Sequence, residues 1–141
     1  MRQVARSRVL MVLIGFFLLT PPLPSQAPKP LPLVIPLRCA GGDCPLLQGS
    51  PQTAGMRSGF VRLKPGETVG WHSTGQNEET LVVLAGKGAT LIEGRSPEGQ
   101  SQQAFTAPAL AYIPPATRHN VQNTGTETLE YVYVVAPATS R

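Results

Sequence analysis

From Leu46 onward, short runs rich in Val, Ile, Leu, Tyr and Thr alternate with Gly, Pro and Asn turn signals. The longest stretch free of Gly and Pro, Thr126 to Ala136, carries Val, Tyr and Thr rather than helix formers. Long helices are therefore nearly excluded. The pattern predicts strands over Met56 to Leu63, Glu67 to His72, Thr80 to Ala85, Ala89 to Glu93, Gln102 to Thr106, Leu110 to Ile113, His119 to Asn123 and Thr128 to Val135. Turns are predicted at Lys64-Pro65-Gly66, Gly86-Lys87-Gly88, Gly94 to Gly99, Pro114-Pro115 and Asn123-Thr124-Gly125. In the last strand Leu129, Tyr131, Tyr133 and Val135 share one face, and Val132 and Val134 share the other. Both faces are expected to be at least half buried. Short strands spaced in this way fit a sandwich, barrel or jelly roll, an all-β fold that also protects its sheet edges.

The first 45 residues have a different pattern. Arg2, Arg6 and Arg8 precede an apolar run from Val9 to Leu19 that ends at Pro21 and Pro22, the layout of a secretory signal peptide over residues 1–27. The run is shorter than the roughly 18 residues of a membrane span, so a membrane association is expected only if the leader is uncleaved. Pro28, directly after Ser25-Gln26-Ala27, is an unfavourable neighbour for cleavage there. Prolines crowd the segment up to Pro36 and favour an extended tether. Residues 28–45 are thus read as a spacer and residues 46–141 as one barrel domain. Within the spacer, Cys39 and Cys44 close a short loop containing Gly41 and Gly42. In an exported chain, periplasmic or extracellular, that is most simply a local disulfide, with a redox or metal pair as the sharper alternative.

Composition removes other classes. The chain has 141 residues, 14% of them charged, with a formal charge of +4. Without the three leader arginines the balance is nine basic against eight acidic residues, which leaves little support for nucleic-acid binding. No Ser-His-Asp set, phosphate-cradling glycine loop or EF-hand is present.

The chemistry concentrates around its two histidines. His72 lies in GETVGWHSTGQNEETLVVLAGKG and His119 in PPATRHNVQN. Period-two geometry places His72 and Thr74 on one face and Glu78 and Glu79 on opposite faces, so one glutamate can converge on His72. For Glu78 the readings are an extra ligand, a general base or a solvated edge carboxylate. Trp71 is out of phase with His72 and is expected outside the barrel or at a subunit interface. Arg118 reads as a surface charge, and Tyr112, Tyr131 and Tyr133 as core or interface residues with a polar handle.

In these segments the chain resembles the cupin superfamily, whose motifs are G-x5-H-x-H-x(3,4)-E-x6-G and G-x5-P-x-G-x2-H-x3-N. Gly66, His72, Glu79 and Gly86 fall in register with the first motif, and Pro114, His119 and Asn123 with the second. Thr74 stands at the second histidine of motif one, while Pro108 and Ala116 replace the glycines of motif two. The resemblance covers residues 53 to 137 and implies a jelly-roll β-barrel. It carries over His72, Glu79 and His119 as ligands of one divalent ion, Fe, Mn, Ni or Zn, with positions left open for a small-molecule ligand. Thr74 could hydrogen-bond a metal-bound water. Some cupins that lose ligands bind no metal, so a metal-free pocket or a plain assembly module stands beside the metal reading. An enzyme of this kind would be an oxygenase or isomerase, and the resemblance also implies a homodimer.

Overall fold

The computed structural model describes residues 29–94 and 99–138. The predicted leader over residues 1–27 lies outside the described residues. No described helix is long and apolar enough to cross a membrane.

Among the described residues eight strands form the fold: β1 (Gly42–Gln48), β2 (Arg57–Leu63), β3 (Asn77–Ala85), β4 (Lys87–Glu93), β5 (Gln100–Thr106), β6 (Ala109–Ile113), β7 (His119–Asn123) and β8 (Leu129–Pro137). All pairings are antiparallel. They build a five-stranded sheet in the order β1-β2-β8-β3-β6 and a three-stranded sheet in the order β5-β4-β7. The fold is therefore an all-β jelly-roll barrel, as its strand pattern predicts.

Side-chain alternation decides which faces meet. In β3, Glu79, Leu81 and Val83 are buried while Val82 and Leu84 are exposed. The central strand β8 turns Leu129, Tyr131 and Val135 inward. Its outer residues Val132 and Val134 are half-buried, as expected for a strand covered on both sides. Val61, Leu63, Leu81, Val83, Ile113, Val121, Leu129 and Tyr131 make one continuous core. Each fully buried aliphatic side chain there is worth about 1.5–3 kcal/mol relative to exposure.

Two segments differ from the expected strands. Glu67 to His72 is not a continuous strand but touches β7 through isolated bridges, Thr68 to Gln122 and His72 to His119. Gly70 between them has φ +89°, outside the β region, so the backbone leaves the ladder and rejoins it at His72. Conversely, β1 begins at Gly42, within the stretch read as a spacer, and pairs with β2 through a register shift between Pro45 and Leu47. Its turn-rich sequence masks a strand that only pairing with β2 defines. A disulfide joins Cys39 to Cys44 and ties the approaching chain to this strand.

Candidate metal centre and its cavity

Three elements deliver the two histidines and Glu79 to one point. Glu79 comes from β3 in the five-stranded sheet, and His119 opens β7 in the three-stranded sheet. His72 is fixed opposite His119 by reciprocal backbone hydrogen bonds, His72 N to His119 O at 2.9 Å and His119 N to His72 O at 2.8 Å. One donor atom from each residue lies within 4.8 Å of the other two. Glu79 Oε2 is 3.2 Å from His119 Nε2 and 4.0 Å from His72 Nε2. Donors bound about 2.1 Å from a common ion stand roughly 3–4 Å apart, so these separations fit shared coordination.

The ring nitrogens are already sorted. His72 Nδ1 lies 3.0 Å from the Gly70 carbonyl and His119 Nδ1 lies 3.0 Å from the Thr117 carbonyl. A carbonyl can only accept, so each Nδ1 carries the proton and each Nε2 lone pair faces the centre. His119 is fully buried and Glu79 nearly so. Although close, His119 Nε2 and Glu79 Oε2 lack hydrogen-bond alignment, and both are left without a partner. Orphaned buried polar atoms are costly, and a cation placed between them would satisfy both. Burial works against charging His119, yet the Glu79 carboxylate 3.2 Å from its Nε2 and the Thr117 carbonyl on its Nδ1 hold its proton affinity above the ordinary histidine range. The centre thus draws positive charge to its inner edge.

The other candidates have separate fates. Thr74 lines the cavity, but its hydroxyl donates to the Asn77 carbonyl at 2.9 Å while the Asn77 amide donates back to the Thr74 carbonyl at 2.8 Å. It caps the turn into β3. Glu78 turns to the opposite face from Glu79 and accepts a hydrogen bond from the Tyr112 hydroxyl at 3.1 Å, away from the histidines. Trp71 lies at the surface with the Arg118 guanidinium 5.5 Å from its ring centre, and Arg118 also pairs with Glu93.

A cavity of about 510 Å³ opens beside His72 and Glu79. Its walls include Asp43, Arg57, Tyr131 and Tyr133, none of which the sequence marks as site residues. Asp43 and Arg57 belong to no motif, and the tyrosines look like ordinary core-facing residues of β8. A phase argument alone could have found the tyrosines, because they share the β8 face that meets Glu79. Tyr133 lies flat over Gly59, where an added Cβ would come within 2.5 Å of its ring, and its hydroxyl points to Asp43 at 3.4 Å. Burial and the adjacent Asp43 carboxylate push the Tyr133 phenol up to about 12. Its hydroxyl therefore stays protonated near neutrality, with its proton directed to Asp43.

Comparison with known proteins agrees with this architecture. A family model described as "Cupin domain" matches residues 59–135. The chain belongs to the cupin family. A structure from Bacillus halodurans is similar with a TM-score of 0.65 at 23% identity, covering 79% of this chain and 86% of that one. A Cupin 2 conserved barrel domain protein from Salinispora arenicola has a TM-score of 0.56 at 22% identity, covering 80% of this chain and 92% of that one. The Cnp3 cupin domain of Schizosaccharomyces pombe has a TM-score of 0.57 at 16% identity; the match covers 68% of this chain and 64% of that one. No curated protein matches the chain in sequence. At these identities the likeness speaks for the fold, and function rests on the site itself.

Proposed function

We propose that this cupin holds one divalent metal ion through His72 Nε2, Glu79 and His119 Nε2, and that a small molecule occupies the adjoining cavity and the open coordination positions. The observation that carries this reading is the pair of buried, partnerless donors, Glu79 Oε2 and His119 Nε2, beside a second imidazole whose Nδ1 is likewise tied to a backbone carbonyl. Two imidazoles and a carboxylate suit Fe(II), Mn(II), Ni(II) or Zn(II), and such an ion supplies Lewis acidity or an O2 site to an oxidation or isomerisation.

The test is elemental mass spectrometry on the full chain produced in an exporting host, beside His72→Ala and His119→Ala. Near-stoichiometric metal in the parent and its loss in both variants is the expected result. Folded parent protein that takes up none of the four metals on reconstitution would overturn the reading. The second reading, a metal-free binding module, is favoured by Thr74, whose hydroxyl is committed to its turn where the family motif has a histidine.

Export to an oxidising compartment is part of the same proposal, supported by the leader pattern and by the Cys39–Cys44 bond. A homodimer is proposed as well. Its support is the exposed apolar row of Val82, Leu84, Leu110 and Tyr112 on the outer face of β3 and β6.

A further inference from the structure

The barrel's arginines are not equivalent. Arg62 pairs with Glu130 and Arg118 with Glu93. Arg57 lines the cavity, and among the described residues it has no carboxylate within salt-bridge distance. Strand register places it on the same row as the candidate metal centre: Arg57 faces Val135 in β8, and Val135 faces Glu79 in β3. Directly opposed residues share a face of the sheet, so Arg57 springs from the inner face that carries Glu79. Two inter-strand steps separate their backbones, roughly 9–10 Å. Side-chain reach from both ends narrows that span to the length of a short carbon chain.

The cavity's other acidic wall residue does not neutralise Arg57. Asp43 faces Val61, two inward positions along β2 from Arg57, and it accepts the Tyr133 hydroxyl. Along β2 that offset is about 13 Å. The cavity therefore presents a free guanidinium at one end, the Tyr131 and Tyr133 phenols along its wall, and His72 with Glu79 across the row, His119 lying buried behind them.

We propose that Arg57 makes this cavity selective for small organic acids, whose carboxylate docks on the Arg57 guanidinium while the far end of the molecule reaches the His72, Glu79 and His119 group. The inference deepens the proposed ligand site and relies on the metal only for that far end. A planar guanidinium matches a carboxylate in two parallel hydrogen bonds, which gives direction as well as attraction.

The test is calorimetric titration of the full chain, after its metal content has been measured, with succinate, glutarate and the monoacid butyrate. Metal-loaded protein is expected to bind at least one diacid on the order of ten-fold more tightly than butyrate, because both ends are then engaged. Arg57→Gln should erase that advantage without changing metal content, and Arg57→Lys should restore only part of it. A diacid advantage that is missing in the parent, or that survives in Arg57→Gln, would overturn the proposal. Should the chain take up no metal, the metal reading fails separately, and butyrate is compared with uncharged butyramide on the same protein. An Arg57-dependent preference for the acid then sustains the inference, and equal binding of the two sinks it.

Discussion

His72 and His119 are held ring to ring by their own backbones, with ring centres 4.2 Å apart above a reciprocal pair of peptide hydrogen bonds. Because opposed residues of a bridge share a face, the register that joins these peptides also aims both imidazoles at Glu79. A slip of one residue would turn one ring away. The centre is thus specified by backbone pairing as much as by side-chain identity.

Glu79 is the one anionic donor in this group. Glu79→Gln keeps its size but removes the charge, so metal affinity should fall by about 100-fold or more. The rise in melting temperature on adding metal should shrink accordingly, while the metal-free protein keeps its stability. Thermal unfolding with and without Mn(II) or Zn(II) reads both quantities.

Asn123 closes motif two, and its role is structural. Its buried amide donates to the Leu63 and Glu127 carbonyls at 2.9 and 2.8 Å, and its oxygen accepts from Gly125 N at 2.9 Å. Asn123→Ala would strand those backbone groups, at a cost of about 2–4 kcal/mol. Urea denaturation should show this as a lower midpoint with an unchanged slope.

Ala116 stands where the family motif has glycine, yet it keeps a left-handed backbone with φ 54°. Its amide donates to the Gly75 carbonyl at 2.6 Å and so links the turn before β7 to the loop that follows His72. Ala116→Gly removes the steric cost of this conformation but loosens the unfolded chain, for a net gain of about 0.5–1 kcal/mol. A melting temperature higher by a few degrees would confirm it, and a lower one would refute the strain at this position.

Tyr131 sets the alkaline limit. Burial, followed by the nearby charges of Glu79 and Asp43, pushes its phenol well above the ordinary value of 10.0. A raised folded-state pKa contributes stability that is complete below the unfolded value and lost as pH rises through and beyond it. The parent should therefore lose stability above about pH 10. Tyr131→Phe should lose less over the same range. Stability curves from pH 8 to 11.5 make the comparison.

The sequence reaches some of these features and not others, for physical reasons. His72, Glu79 and His119 are legible because coordination chemistry demands particular residue types at a spacing set by two strands and a turn. The core face of β8 is legible through its alternation of Leu129, Tyr131, Tyr133 and Val135. Glu67 to His72 looks like a strand because its composition suits one, and only the conformation at Gly70 shows the break. Asp43 and Arg57 escape notice because their positions depend on the pairing of β1 with β2, a long-range relationship that no local signal records. Pro45 and the flanking glycines argue against a strand there when read locally, and an edge position is what makes proline tolerable.

That same edge has a consequence for life in a crowded compartment. The open border of β1 is a potential template on which another chain could add a strand, the first step toward fibrils. Proline at position 45 cannot donate there, the register shift just after it spoils the repeat, and the Cys39–Cys44 ring caps the beginning of the strand. The opposite border, β6, shows Leu110 and Tyr112 to solvent without such guards. Of the two borders of this sheet, β6 is therefore the one at which self-association, orderly or pathological, is expected to begin.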